Sequence, residues 1–241
     1  MLLRKVKNFF NFFVLAFSFL HLKFQDASSI LNRCFMHILH IHQHSILTFD
    51  REAILNNKYI HQFLLGLPLD TLDCIFSRHS VRKFKDKDVP ESDIHTILQA
   101  AMSGPSAVNC RPWQFLVTKR KDVLERMAKA NGPYATPLTH AAFGVMVAGD
   151  LSKAYSNAPD YWQTDCSIAA QNMILAAQAL GVGSVWLGTF PEQERVQALK
   201  EEFNLPENIV PHSLIAFGYP VDNDNHQRDL FESEKIHVDK W

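Results

Sequence analysis

The chain has 241 residues, 24 Lys and Arg against 25 Asp and Glu, and 47% hydrophobic residues. The even charge argues against a general nucleic-acid binder, which carries a basic excess, and 11% aromatic residues exclude a wholly disordered chain. The length allows one large domain or two small ones.

Residues 1–68 differ from the rest of the chain. They hold 6 of the 12 His and 10 of the 18 Phe, yet one of the 9 Gly and one of the 11 Pro. Three acids (Asp26, Asp50, Glu52) stand against seven bases (Arg4, Lys5, Lys7, Lys23, Arg33, Arg51, Lys58), so this part is +4 and the remainder −5. Arg4, Lys5 and Lys7 precede an apolar run at 9–22, as in a signal peptide. The 15 residues between Lys7 and Lys23 fall short of a spanning helix, and Ala27-Ser28-Ser29 is a weak cleavage site. Three readings stand: a signal or membrane anchor, an extra domain, or translated upstream sequence ahead of a start at Leu67 or Leu69. His37, His40, His42 and His44 lack an acid or Cys at a zinc spacing, so no metal site is expected. The four cysteines (Cys34, Cys74, Cys110, Cys166) form no CxxC, which fits reduced thiols in a cytoplasmic protein.

From residue 69 the pattern is that of a folded domain. Leu72, Ile75 and Phe76 have helical spacing within 70–77. Pro90 opens a second helix whose Ile94, Ile97, Leu98 and Ala101 recur at three and four, and Gly104-Pro105 stops it. Residues 113–118 read as a strand and 120–130 as a polar surface helix. The unbroken apolar run 141–148 reads as a central strand, ended by Gly149-Asp150. Residues 165–180 form the longest helix, apolar all round and therefore buried. A short strand follows at 184–187, a helix from Pro191 through Phe203, and a strand at 209–217. The polar tail 221–241 has few apolar anchors and needs a partner surface. This order, with few βαβ units, is α+β.

Four stretches carry candidate chemistry. In RHSVRKF at 78–84, Arg78, Ser80 and Arg82 alternate, so an extended backbone points all three one way. Two guanidiniums flanking a hydroxyl suit a phosphate, although a solvated basic loop would look similar. GPSAVNCRPWQF at 104–115 offers the Asn109 amide in a loop that turn chemistry also explains. GVGSVWLGTF at 181–190 ends a strand on Gly188, where bare backbone admits a flat ring. Gly181 and Gly183 do not complete a dinucleotide fingerprint, because residue 186 is Trp and a helix precedes them. Arg228 in the tail reads by itself as a surface arginine.

In their order and spacing these motifs, with YWQTDCSIAAQNMILAA at 161–177, FGYP at 217–220 and the closing HQRDLFESEKIHVDKW, resemble the FMN-dependent nitroreductase family, especially its short members. The likeness covers residues 70–241 and none of 1–68. It implies a mixed central sheet flanked by helices, an intertwined homodimer and two FMN sites at the interface. Arg78 and Arg228 would hold the phosphate, with His79 and Ser80 beside the flavin and Arg82 near N1. Pro105, Ser106 and Asn109 would come from the partner subunit. Val185, Trp186, Leu187 and Gly188 would line the other side, with the Gly188 N–H near N5. NADH or NADPH would deliver a hydride, and a small acceptor such as a nitroaromatic or quinone would then enter the same pocket. No side-chain acid or base is required, so no catalytic residue is expected. His226 stands where the family often has Lys, Ser80 argues against the flavin-fragmenting branch, and 150–164 is short for the lid of the dehalogenating branch. Other flavin chemistry on the same scaffold, or flavin binding without turnover, remain as alternatives. A membrane role depends on 1–68 being an anchor.

Overall fold

The structure, a computed structural model, describes residues 71–222 and 230–241. The readings made on 1–68, His226 and Arg228 lie outside the described residues. The chain divides between Gly66 and Leu67, and the described residues all belong to the second unit.

The elements follow the expected order. Helix α1 spans Thr71–Ser77 and α2 Glu91–Met102. Strand β1 is Trp113–Thr118, α3 Lys121–Asn131 and β2 Phe143–Asp150. Helix α4 is Tyr161–Ala179, β3 Gly183–Gly188, α5 Gln193–Glu202 and β4 Ile209–Gly218. The strands lie in the order β1-β2-β4-β3, antiparallel at each pairing. A parallel bridge from Ser80 to Ser184 adds a fifth segment beside β3.

Side chains alternate across this sheet and build two cores. Val145 and Val147 of β2 join Ile215 and Phe217 of β4 under α2 and α4. Met146, Leu214 and Ala216 point the other way and join Val185 and Leu187 under α3 and α5. With both faces covered, β2 is buried along its whole length, as its unbroken apolar run foretold.

Three details depart from the sequence reading. Gly149 does not end β2: a Cβ there would strike the buried Trp162 ring, so the missing side chain makes room for α4. Helix α4 begins at Tyr161 rather than Asp165, because Trp162 packs into the core as part of its first turn. In α1, the stripe Leu72, Ile75 and Phe76 is exposed, while Cys74 and Ser77 face inward. Among the described residues, no helix is long and apolar enough to cross a membrane.

Candidate functional site

The segment after α1 runs extended along the outer edge of β3. The Val81 N–H donates to the Ser184 carbonyl at 2.9 Å. Val81 is buried, Ser80 and Arg82 are exposed, and Arg78 and His79 are half-buried. The buried valine anchors this strap, and alternation puts Arg78, Ser80 and Arg82 on the opposite face. A Cβ at Gly183 would come within 2.8 Å of the Val81 side chain, so bare backbone at that point lets the strap seat. His79 Nδ1 lies 3.3 Å from the Ser77 carbonyl, and an Arg82 guanidinium nitrogen lies 3.4 Å from the Ser80 carbonyl. Among the described residues, neither Arg78 nor Arg82 forms an ion pair.

The strap fixes which way β3 presents its backbone. The Ser184 carbonyl leaves on the side away from β4. Its register partner Phe217 turns its own carbonyl to the Ala142 N–H, 2.8 Å away. Backbone polar groups alternate along an antiparallel strand. Trp186 and Gly188 therefore direct N–H and C=O to that same outer edge. Gly188 is exposed, and a Cβ added there meets nothing within 4 Å. Its carbonyl accepts from Asn131 Nδ2 at 3.1 Å and from Arg195 Nη1 at 2.9 Å. Val185 and Leu187 are buried toward α3 and α5, while Trp186 is half-buried on the other face.

Behind Trp186 lies His212, buried between edge-on Trp162 and Trp186 rings. Its Nε2 is 3.1 Å from Ser167 Oγ and its Nδ1 3.1 Å from Ser213 Oγ. Burial pushes its pKa down to about 4. The neutral ring is part of the packing behind the sheet edge.

The loop after α2 sits elsewhere, on α4. Val108, Asn109 and Arg111 have φ of 42°, 60° and 52°, left-handed values that a β-branched residue rarely adopts. Such a backbone persists only where its surroundings hold it. Here the Ala107 N–H donates to Asp165 Oδ1 at 2.9 Å, the Arg111 N–H to Ser106 Oγ at 2.9 Å, and Arg111 Nη2 to the Met102 carbonyl at 3.0 Å. Asn109 and Pro105 are left exposed, and Ser106 is half-buried. Beside the loop is an apolar cavity of about 320 Å³ whose lining includes Pro105, Ser106, Tyr155, Tyr161, Asp165 and Ile168. No residue of the strap or of β3 lines it. Next to Asp165, burial pushes the Cys166 thiol up to about 12, with the Asp165 charge adding to the effect, so this cysteine is inert.

The profile of the Nitroreductase family matches residues 75–132 and 131–219. The chain belongs to the nitroreductase family. A Methanothermobacter thermautotrophicus relative, provisionally named as an NADH dehydrogenase/NAD(P)H nitroreductase, is 43% identical over 72% of this chain and 88% of its own length. A solved structure from Clostridium acetobutylicum, provisionally named an NADH oxidase, shares 37% identity at a TM-score of 0.67. That match covers 70% of this chain and 99% of the other. An FMN-dependent nitroreductase from Clostridium difficile R20291 shares 26% identity at a TM-score of 0.65, over 70% and 99% of the two chains.

In this nitroreductase-family domain, the expected site residues fall into two groups. Arg78, His79, Ser80 and Arg82 are brought to the edge of Val185, Trp186, Leu187 and Gly188 by the Ser80–Ser184 bridge. Pro105, Ser106 and Asn109 form a second group on α4. Sequence reasoning missed Asp165, Asn131, Thr189 and Arg195. Asp165 had left a signal, since a carboxylate in a helix read as buried requires a partner. Asn131 and Arg195 left none, because they reach the Gly188 carbonyl only through the tertiary fold, and Thr189, next to Gly188 in sequence, gains its part only through its bond to Asn131.

Proposed function

We propose that this chain is an FMN-dependent NAD(P)H oxidoreductase that reduces small nitroaromatic, quinone or similar acceptors, and that it works as a homodimer. The observation that carries the reading is the outer edge of β3. There, open backbone at Gly188 lies on the same strand that seats two arginines free of acidic partners among the described residues. A flat ring needs close access to backbone, and a phosphate needs guanidinium donors not already spent on carboxylates. Both requirements are met along one strap and one strand, so the residues fit FMN.

Arg78 would bind the phosphate together with Arg228, and Ser80 would donate a hydrogen bond to the flavin's polar side. Arg82 would place a fixed positive charge where negative charge gathers on reduction, which favours the reduced state. The backbone of Val185, Trp186 and Leu187 would line the ring, and the Gly188 N–H would donate toward N5. FMN itself would supply the hydride chemistry between nicotinamide and acceptor. The names of the Methanothermobacter and Clostridium difficile relatives, an NAD(P)H nitroreductase and an FMN-dependent nitroreductase, agree with this assignment.

Pro105, Ser106 and Asn109 would complete the site of the other subunit. Exposed Ile75 and Phe76 of α1, with Ile236, Val238 and Trp241 of the tail, provide apolar surface for a second copy to cover. Cys110 and Cys166 form no disulfide, in keeping with a cytoplasmic protein.

The test is a visible spectrum after reconstitution with FMN, followed by NADH and NADPH oxidation with nitroaromatic and quinone acceptors. Bound flavin and turnover with either nucleotide support the reading. A chain that takes up no FMN refutes it. Sedimentation equilibrium should give twice the chain mass.

A further inference from the structure

The Gly188 carbonyl is covered from two directions by residues with no expected contact to cofactor. Asn131 stands at the end of α3 and is 3% exposed. Its amide is used at both ends: Nδ2 donates to Gly188, and Oδ1 accepts from Thr189 Oγ1 at 2.6 Å. Thr189 is fully buried. An amide held at its oxygen cannot rotate, so Nδ2 stays aimed at the carbonyl. Arg195 comes from α5 and is itself held by Glu192 Oε1 at 2.9 Å.

A strand edge normally offers donors and acceptors in alternation. At Gly188 both groups leave on the same side, and the carbonyl already takes two donors. What the edge presents to a ligand is then the N–H. We propose that Asn131, Thr189 and Arg195 are positioning residues that cover the Gly188 carbonyl and leave the end of β3 a hydrogen-bond donor edge. This rests on the FMN reading and adds a redox consequence to it. Oxidised flavin carries an acceptor at N5, whereas reduced flavin carries an N–H. A donor edge favours the oxidised form. An uncovered carbonyl would give the reduced form an acceptor.

Glycine makes the cover necessary. With no Cβ to restrict φ and ψ, this residue could otherwise reorient its carbonyl at little cost. The open space at its Cα supplies no packing to hold it. The orientation therefore depends on hydrogen bonds.

The experiment measures the affinities of full-length protein for oxidised and reduced FMN, whose ratio sets the potential of the bound flavin. The chains compared are wild type, Thr189→Val, Thr189→Ser and Arg195→Lys. Thr189→Val removes the lock on Asn131 without changing charge, Thr189→Ser keeps the hydroxyl, and Arg195→Lys keeps the charge but loses the planar fork. The reduced-over-oxidised ratio should rise about threefold or more in Thr189→Val and Arg195→Lys, the value of one ordinary hydrogen bond. It should stay at the wild-type value in Thr189→Ser. If Thr189→Val does not fold, Arg195→Lys decides, since Arg195 is partly exposed. A wild type that binds FMN beside variants of unchanged ratio overturns the inference even if their melting temperatures fall, because a purely structural role would lower stability and leave the ratio alone. A wild type that binds no FMN overturns the functional reading and this inference with it.

Discussion

The Asp165 carboxylate and the Ala107 N–H meet at 2.9 Å across 58 positions of sequence, and this bond ties the strained 105–111 loop to the long helix. The other oxygen, Oδ2, is buried and has no partner among the described residues. Asp165→Ala should lose about 1 kcal/mol in urea unfolding, since the partly buried Ala107 N–H loses its acceptor. Asp165→Asn keeps an acceptor for Ala107 and should lose less than half of that. Equal losses in the two variants would show that the charge, not the loop tether, is what matters.

Two glycines should respond in opposite ways. Gly149→Ala forces a Cβ into the Trp162 ring and should cost about 1–3 kcal/mol by overpacking. At Gly188 an added Cβ meets no atom within 4 Å, so Gly188→Ala should leave the melting temperature unchanged. Its side chain would occupy the space left for the ring, so FMN binding should fall sharply. Fluorescence titration with FMN, run beside a thermal melt, separates the two effects.

Arg78 and Arg82 stand on the strap without acidic partners among the described residues, so replacing either by Ala should alter stability little. For a charge-assisted bond to phosphate, Arg78→Ala should weaken FMN binding about tenfold or more. Riboflavin, which lacks the phosphate, should bind wild type and Arg78→Ala alike. A riboflavin affinity that falls as far as the FMN affinity would take Arg78 away from the phosphate.

Acid stability should be governed in part by His212. Burial holds its pKa in the fold at about 4, below the ordinary 6.5. The unfolded chain then binds the extra proton first. This contribution is fully present above pH 6.5 and is lost as the pH falls from 6.5 toward 4. The loss amounts to about 3 kcal/mol. Ser167, Ser213, Trp162 and Trp186 surround the ring and offer no carboxylate to offset the charge. Urea unfolding between about pH 4 and 7 should show a steep decline in wild type and a shallower one in His212→Gln. Parallel curves would remove His212 as the cause.

Much of this fold is written in local pattern. The run 143–150 is apolar because β2 is covered on both faces, and Pro90 marks the start of α2 because proline suits a first turn. Arg78, Ser80 and Arg82 could be placed on one face from alternation alone. Gly149 was misleading, because a glycine that ends a strand and one that admits a neighbouring ring look the same in sequence. The stripe on α1 had helical spacing but lies exposed, since spacing sets a face and not what covers it.

The near-zero net charge is an average over unlike parts, and sequence alone located the seam and placed the candidate chemistry after it. Element order, the two-faced alternation of the sheet and the strap residues all come from local periodicity. The tertiary structure decided how those pieces meet: Asp165 on Ala107, Ser80 on Ser184, and Asn131 and Arg195 on the Gly188 carbonyl. The physical reason is that backbone polar groups carry no side-chain signature. Nearly every residue has the same N–H and C=O, and only the folded path determines which are covered and which remain for a ligand.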